Sequence, residues 1–328
     1  MISRVIVSFG RRAAILTICA LALGLQPDGS LTIVREVQAR TLTTVDAEPV
    51  TDGTRKRVRT LTQQQYLNTL AYVFGPDVRL LPNFPPAQRT DGLLALGTGR
   101  GGISTAQVEL YQKAAATVAQ LVMKPERRDF LMMCVPKDAG AADAVCARRF
   151  ISHVGRLVHR RALTRAELTE YVEEAGNAAD LLKDFYRGIA VSIEAMLISP
   201  DVLFVVETSE ADPNHKGEQR LDAYSLATRL SLFLWNAAPD DELLRSAESG
   251  EIWNPKGRAK QVDRMLSSPR LETGMRAFFD DMLAFDSFAA LGKDGQMYPV
   301  FTGVTAADAR EETLRVIDLT DFLHQSEC

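Results

Sequence analysis

Three groups of side chains in this 328-residue sequence have the types and spacing to do chemistry. In "LGTGRGGIST" (96–105), Gly97, Gly99 and Gly102 match G-x-G-x-x-G, the spacing that lets a backbone loop wrap a pyrophosphate at a helix start. In "APDDELL" (238–244), Asp240, Asp241 and Glu242 crowd into one turn behind Pro239. Arg229 interrupts the apolar "LATRLSLFLW", and Glu194 interrupts "GIAVSIEAMLI". A charge on a buried helix face is costly unless it has a partner, so Arg229 is expected to pair with an acid, Glu194 or Asp240 first.

Each group also has a plainer use. A dinucleotide fold needs a strand before its glycines, a helix after them and an acid about twenty residues on. "LLAL" (93–96), Ser104 and "FLMMCV" with Asp138 sketch that order, but the proline-rich "LLPNFPPAQRTDG" before them is a poor central strand. Ile103 stands where a P-loop needs its lysine. The glycines therefore read as a surface turn feeding a helix, and nucleotide binding at Gly97 to Gly102 stays as an alternative. Asp240, Asp241 and Glu242 suit the positive end of a helix dipole without any metal. An enzyme built on Arg229, Glu194 and Asp240, with a carboxylate of shifted pKa in a cleft, is the other alternative.

The remaining chemistry is sparse. His153 and His159 are six apart, which does not give the i, i+4 spacing of a zinc pair, and no metal set emerges. There is no C-x-x-C-H for covalent haem, no G-x-S-x-G elbow and no S-x-x-K pair, so no cofactor is expected. With 38 Lys+Arg against 42 Asp+Glu, a formal charge of -4 offers nothing global to attract nucleic acid.

Arg4, Arg11 and Arg12 precede an apolar run from Ala13 to Leu25, the order of an export signal, and the run is too short to span a bilayer. Residues 1–39 read as that signal, with Val37-Gln38-Ala39 a cleavage site; an uncleaved anchor is the alternative. Gly10-Arg11-Arg12 is similar to a twin-arginine signal. Export would place the mature protein in the periplasm, on the cell surface or outside the cell, with no membrane span after signal removal. There Cys134 and Cys146 would form a disulfide, whereas an intracellular location would leave two buried thiols.

What must position these groups is a set of helices. Residues 40–58 are polar and threonine-rich, a linker. Beyond it, Thr62 with Gln65, Ser104 with Gln107, Thr164 with Glu167 and Thr305 with Asp308 have capping spacing, and Ser199-Pro200 and Ser268-Pro269 mark two further starts. Apolar residues recur at three and four, as in Leu67, Leu70, Ala71 and Phe74. The class is all-α: about ten helices in two or three modules, with few or no strands. "DFLMMCV" (129–135) and "VLFVVE" (202–207) fit either helix or strand. "RTLTQQQYLNTLAYVFG" (59–75) and "RALTRAELTEYVEEAG" (161–176) share one order of arginine, Leu-Thr cap, amphipathic helix and glycine stop.

The stretch "LDAYSLATRLSLFLWNAAPDDELLRSAESGEI" (221–252) resembles large exported bacterial proteins of the planctomycete and myxobacterial type, built from successive domains of unknown function. Arg229 to Trp235 and Pro239 to Leu244 match their R-L-S-x-F-L-W and P-D-x-E-L-L block. "RTLTQQQYLNTLAYVFG" is similar to their first module; the cysteine pair, "GRLVHRRALT" and "ISPDVLFVVE" to their middle one; "SSPRLETGMRAFFDDML" to the third. Ala162, His159 and Val206 depart from an expected proline, aromatic and arginine. The resemblance implies a helical module over 59–124, a middle module over 125–217 and a third over 218–328, incomplete because the family continues further. It also implies association with c-type cytochromes or other exported proteins. The function expected is an accessory or structural role in an extracytoplasmic cytochrome c-linked oxidative or polymer-degrading system.

Overall fold

The computed structural model describes residues 58–76, 78, 89–99 and 102–326. Residues 1–57, on which the expected signal and most of the expected linker fall, lie outside them, as do Arg100 and Gly101. Among the described residues the chain is predominantly helical.

A short strand β1 (Val58–Thr60) leads into α1 (Gln63–Phe74), the single turn α2 (Leu94–Gly97), α3 (Thr105–Val122) and α4 (Pro125–Leu131). Val58, expected as the last linker residue, belongs to β1. Next come α5 (Ala144–Val158), α6 (Arg165–Leu182), α7 (Phe185–Ile198) and the one-turn α8 (Pro200–Leu203), which runs straight into β2 (Phe204–Val206). A hairpin of β3 (Ser209–Ala211) and β4 (Gln219–Leu221) follows. The last part holds α9 (Ala223–Leu234), α10 (Asp241–Glu248), α11 (Pro255–Leu266), α12 (Arg270–Met282) and α13 (Gly303–Ser326). β1 pairs antiparallel with β2, and β3 with β4.

The helix starts follow the capping chemistry. Thr62, Ser104 and Thr164 each accept from the backbone N–H three residues on, while Gln65, Gln107 and Glu167 reach back to the cap. These reciprocal bonds satisfy amides that a first turn leaves free. At α13 the start moves three residues: Thr302, not Thr305, accepts from the Thr305 N–H at 3.3 Å, and the Thr305 hydroxyl accepts from the Thr302 N–H at 3.2 Å. "DFLMMCV" ends α4 and continues as coil; "VLFVVE" divides between α8 and β2.

The segments before and after the cysteine loop close a single core. Tyr66, Leu70 and Val118 pack with Phe150, Ile151, Ile189, Ile193 and Met196, all buried. α7 runs through its middle and approaches α6 closely at Gly188, where an added Cβ would lie 2.3 Å from the Ala175 carbonyl oxygen and 2.7 Å from the Ala179 Cβ. A second, smaller core gathers Ala227, Trp235, Leu243, Ile252 and Met265 from α9, α10, α11 and the turn between the last two. Trp235 belongs to it, its indole N–H donating to the Met265 carbonyl at 3.0 Å. Cys134 and Cys146 are joined in a disulfide. Between them Asp143 caps α5, accepting from the Cys146 N–H, and that bond holds its carboxyl below the usual range. No helix among the described residues is long and apolar enough to cross a membrane.

Candidate functional site

Where the first core meets α9, the chain leaves a pocket of about 190 Å³ with a charged lining. Three local features build it. α5 ends at Val158, and Arg160 then takes a left-handed backbone with φ 60°. That conformation is unusual for a residue with a Cβ and turns its side chain inward. The guanidinium, 4% exposed, donates to the carbonyl oxygens of Val158 (3.2 Å), Asp201 (2.6 Å), Val202 (3.1 Å) and Phe204 (2.7 Å). It thereby closes the carboxyl end of α8 with a cation, and burial pulls its pKa down to about 10.

Beside it, Arg161 forks onto Glu167 at 2.9 and 2.7 Å and reaches Asp201 at 2.7 Å. The hydrogen bond from Arg161 holds the Glu167 carboxyl down to about 2. Arg59 makes the corresponding contact at α1, donating to Gln65 at 3.1 Å. The order shared by 59–75 and 161–176 is therefore a physical unit: in each an arginine three residues before the cap grips the side chain that completes the capping box.

Arg229, from α9, is clamped by Glu207, with Nε and Nη2 both 2.7 Å from the two carboxylate oxygens. This corrects the expected partner. Glu194 sits half-buried on α7 beside Glu174, and Asp240 caps α10 while Arg264 holds it at 2.6 and 2.9 Å. Burial would raise the Asp240 carboxyl, but Arg264 and the Leu243 N–H outweigh it and keep it below the usual range. The structure does not bring Arg229, Glu194 and Asp240 together. Glu207 escaped notice in the sequence because it lies across a hairpin from Arg229, at no helical spacing.

His159 also lines the pocket. Its Nδ1 lies 3.0 Å from the Gly155 carbonyl, to which it can only donate, so Nε2 accepts from the Tyr171 hydroxyl at 3.4 Å. Burial lowers its pKa to about 4, and the imidazole is neutral at pH 7. Unfolding frees it to titrate at its ordinary value of 6.5, so the unfolded chain binds more protons below that pH. Stability from this group is complete above pH 6.5 and is lost as pH falls to 4, about 3 kcal/mol in all. Glu167 adds a separate acid loss, from 4.5 down to 2. Thermal midpoints measured from pH 7 to 4.5 should fall in the wild type and stay flatter in His159→Gln; equal slopes would remove His159 from the account.

The glycine run is described only in part, because Arg100 and Gly101 lie outside the described residues. Leu94–Gly97 form the helical turn α2, Leu93 before it makes an isolated bridge to Thr90 and not a strand, and Gly102 has nothing within 4 Å of an added Cβ. The described strands form only two antiparallel pairs. Among the described residues no group of three or more His, Cys, Asp or Glu side chains is placed to share a metal ion. The pocket instead offers paired charges that fasten the first core to α9.

Residues 59–124 match the family described as PSD3, a protein of unknown function (DUF1587). Residues 146–207 match PSD5 (DUF1595), and residues 221–326 match PSD4 (DUF1592), both also proteins of unknown function. No curated protein and no solved structure matches the chain. With three such modules in series, the chain belongs to a multi-module family of unknown function.

Proposed function

We propose that this chain acts outside the cytoplasm as a helical accessory component of a c-type cytochrome-linked oxidative or polymer-degrading system. The disulfide between Cys134 and Cys146 is the observation that carries the reading. Such cross-links persist in oxidising compartments, and the charged run before the apolar stretch at 13–25 supports export there. Arg229 and Asp240 are each engaged in an ion pair between elements, which favours a scaffold over a catalyst. The cytochrome partner is taken from the resemblance.

Expression of the whole chain in a Gram-negative host, followed by fractionation and alkylation without reductant, tests this. The protein should leave the cytoplasm with Cys134 and Cys146 unlabelled. Retention in the cytoplasm with both cysteines labelled would overturn the proposal. A second reading, a small polar ligand beside Arg161 and Glu207, has the pocket itself in its favour. Thermal-shift screening with NAD, haem and divalent metals tests it, since a ligand of the folded state raises the midpoint.

A further inference from the structure

α6 and α7 lie against each other through small residues, Gly188 meeting Ala175 and Ala179. On the outer side of this seam they leave an open groove of about 900 Å³. Its floor is apolar, with Val191, Ala195 and Ile198 from α7, and Leu181 stands 82% exposed at one end. Its rim on α6 carries Glu170, Glu173 and Glu174, and Glu194 of α7 stands beside Glu174. Among the described residues none of these four carboxylates has a hydrogen-bond or ion-pair partner, although Arg187 is exposed on the same face of α7 as Val191 and Glu194. Asp201 and Glu207 at the pocket differ, as does Glu167 near them: each faces an arginine.

This arrangement works against the fold. Glu170 and Glu174 are one turn apart, and like charges at i, i+4 destabilise a helix. Burial raises the Glu174 carboxyl, with Glu170 and Glu194 adding to the effect. Half-buried negative charge beside an apolar floor is poorly served by water alone. A partner that places cations against the rim and apolar side chains on the floor relieves both.

We infer that the α6–α7 groove docks a basic amphipathic helix of a partner protein, its apolar face on Val191, Ala195 and Ile198 and its lysines or arginines against Glu170, Glu174 and Glu194. Helix-in-groove docking takes its affinity from apolar anchors, and charge complementarity orients it and speeds encounter. The inference gives the accessory role proposed above a partner-facing surface. Its test does not depend on export, so the two fail separately.

The probe is an 18-residue leucine–lysine peptide of helical period, labelled and titrated with the full chain while anisotropy is read. A peptide of the same composition without an apolar face serves as control. Glu170→Lys/Glu174→Lys should weaken binding at least tenfold, and Leu181→Ser several-fold, while Glu126→Lys on α4 leaves it unchanged. Glu174→Gln should weaken it less and keep or raise the thermal midpoint, since like-charge repulsion is removed. Equal binding of both peptides, no binding to the wild type, or unchanged affinity in the groove variants would overturn the docking site.

Discussion

Gly188→Val should cost the protein at least about 3 kcal/mol and lower its thermal midpoint by about 6–10 °C. The new side chain would begin 2.3 Å from the Ala175 carbonyl oxygen and 2.8 Å from the Ala179 backbone nitrogen. Those are backbone atoms of α6, so no rotamer change relieves the overlap and the two helices must separate. Separation in turn opens the core around Ile189, Ile193 and Met196, each at 0% exposure. Gly102→Ala is the matched control: nothing lies within 4 Å of its Cβ, and stability should change by less than about 0.5 kcal/mol. Calorimetry on both variants separates the outcomes. A small loss at Gly188 would mean that the α6–α7 seam yields more readily than its geometry indicates.

Arg160→Met should destabilise by about 3–5 kcal/mol. The substitution keeps an unbranched apolar stem but removes the donors to four main-chain carbonyls, Val158 at the end of α5 and Asp201, Val202 and Phe204 from α8 into β2. Carbonyls left without partners in a site this buried carry the cost of their own desolvation. Arg160→Lys should recover less than half, because an ammonium is a compact charge and cannot fork across acceptors on both sides. Arg160→Gly loses the same bonds but relaxes the left-handed backbone, and should be about 1 kcal/mol less damaging than a β-branched residue such as valine there. Denaturant melts of the four variants would show this order. A Met variant as stable as the wild type would mean that water replaces the guanidinium.

Local chemistry was readable from the sequence wherever donor and acceptor lie within a turn of each other. Thr62, Ser104 and Thr164 cap their helices because the hydroxyl and the amide it satisfies are three residues apart. Thr305 misled because Thr302, also three residues from a hydroxyl partner, sits just upstream and wins the same competition. The helical class followed from apolar spacing, and the short strands escaped it because three residues carry no period. The partner of Arg229 could not be read in this way. Glu207 reaches it through β2 and a hairpin, so the contact depends on how two cores meet rather than on any repeat. The same holds for Arg160, whose "HRR" setting looks like surface charge until α8 supplies carbonyls to bury it. The Arg59 and Arg161 contacts lie between these cases: the repeated order was visible, and its meaning needed the geometry.

The β3–β4 hairpin is closed at its base, where the Asp222 N–H donates to the Thr208 carbonyl at 3.0 Å and Ser225 Oγ accepts from the Thr208 N–H at 3.0 Å. Its far end, residues 213–218, is exposed. Cargo added at that tip, such as an affinity tag, a fluorescent protein or a spin label, would be mechanically isolated from both cores. The protein therefore carries a built-in grafting position through which it can be tracked or immobilised without disturbing either end of the chain.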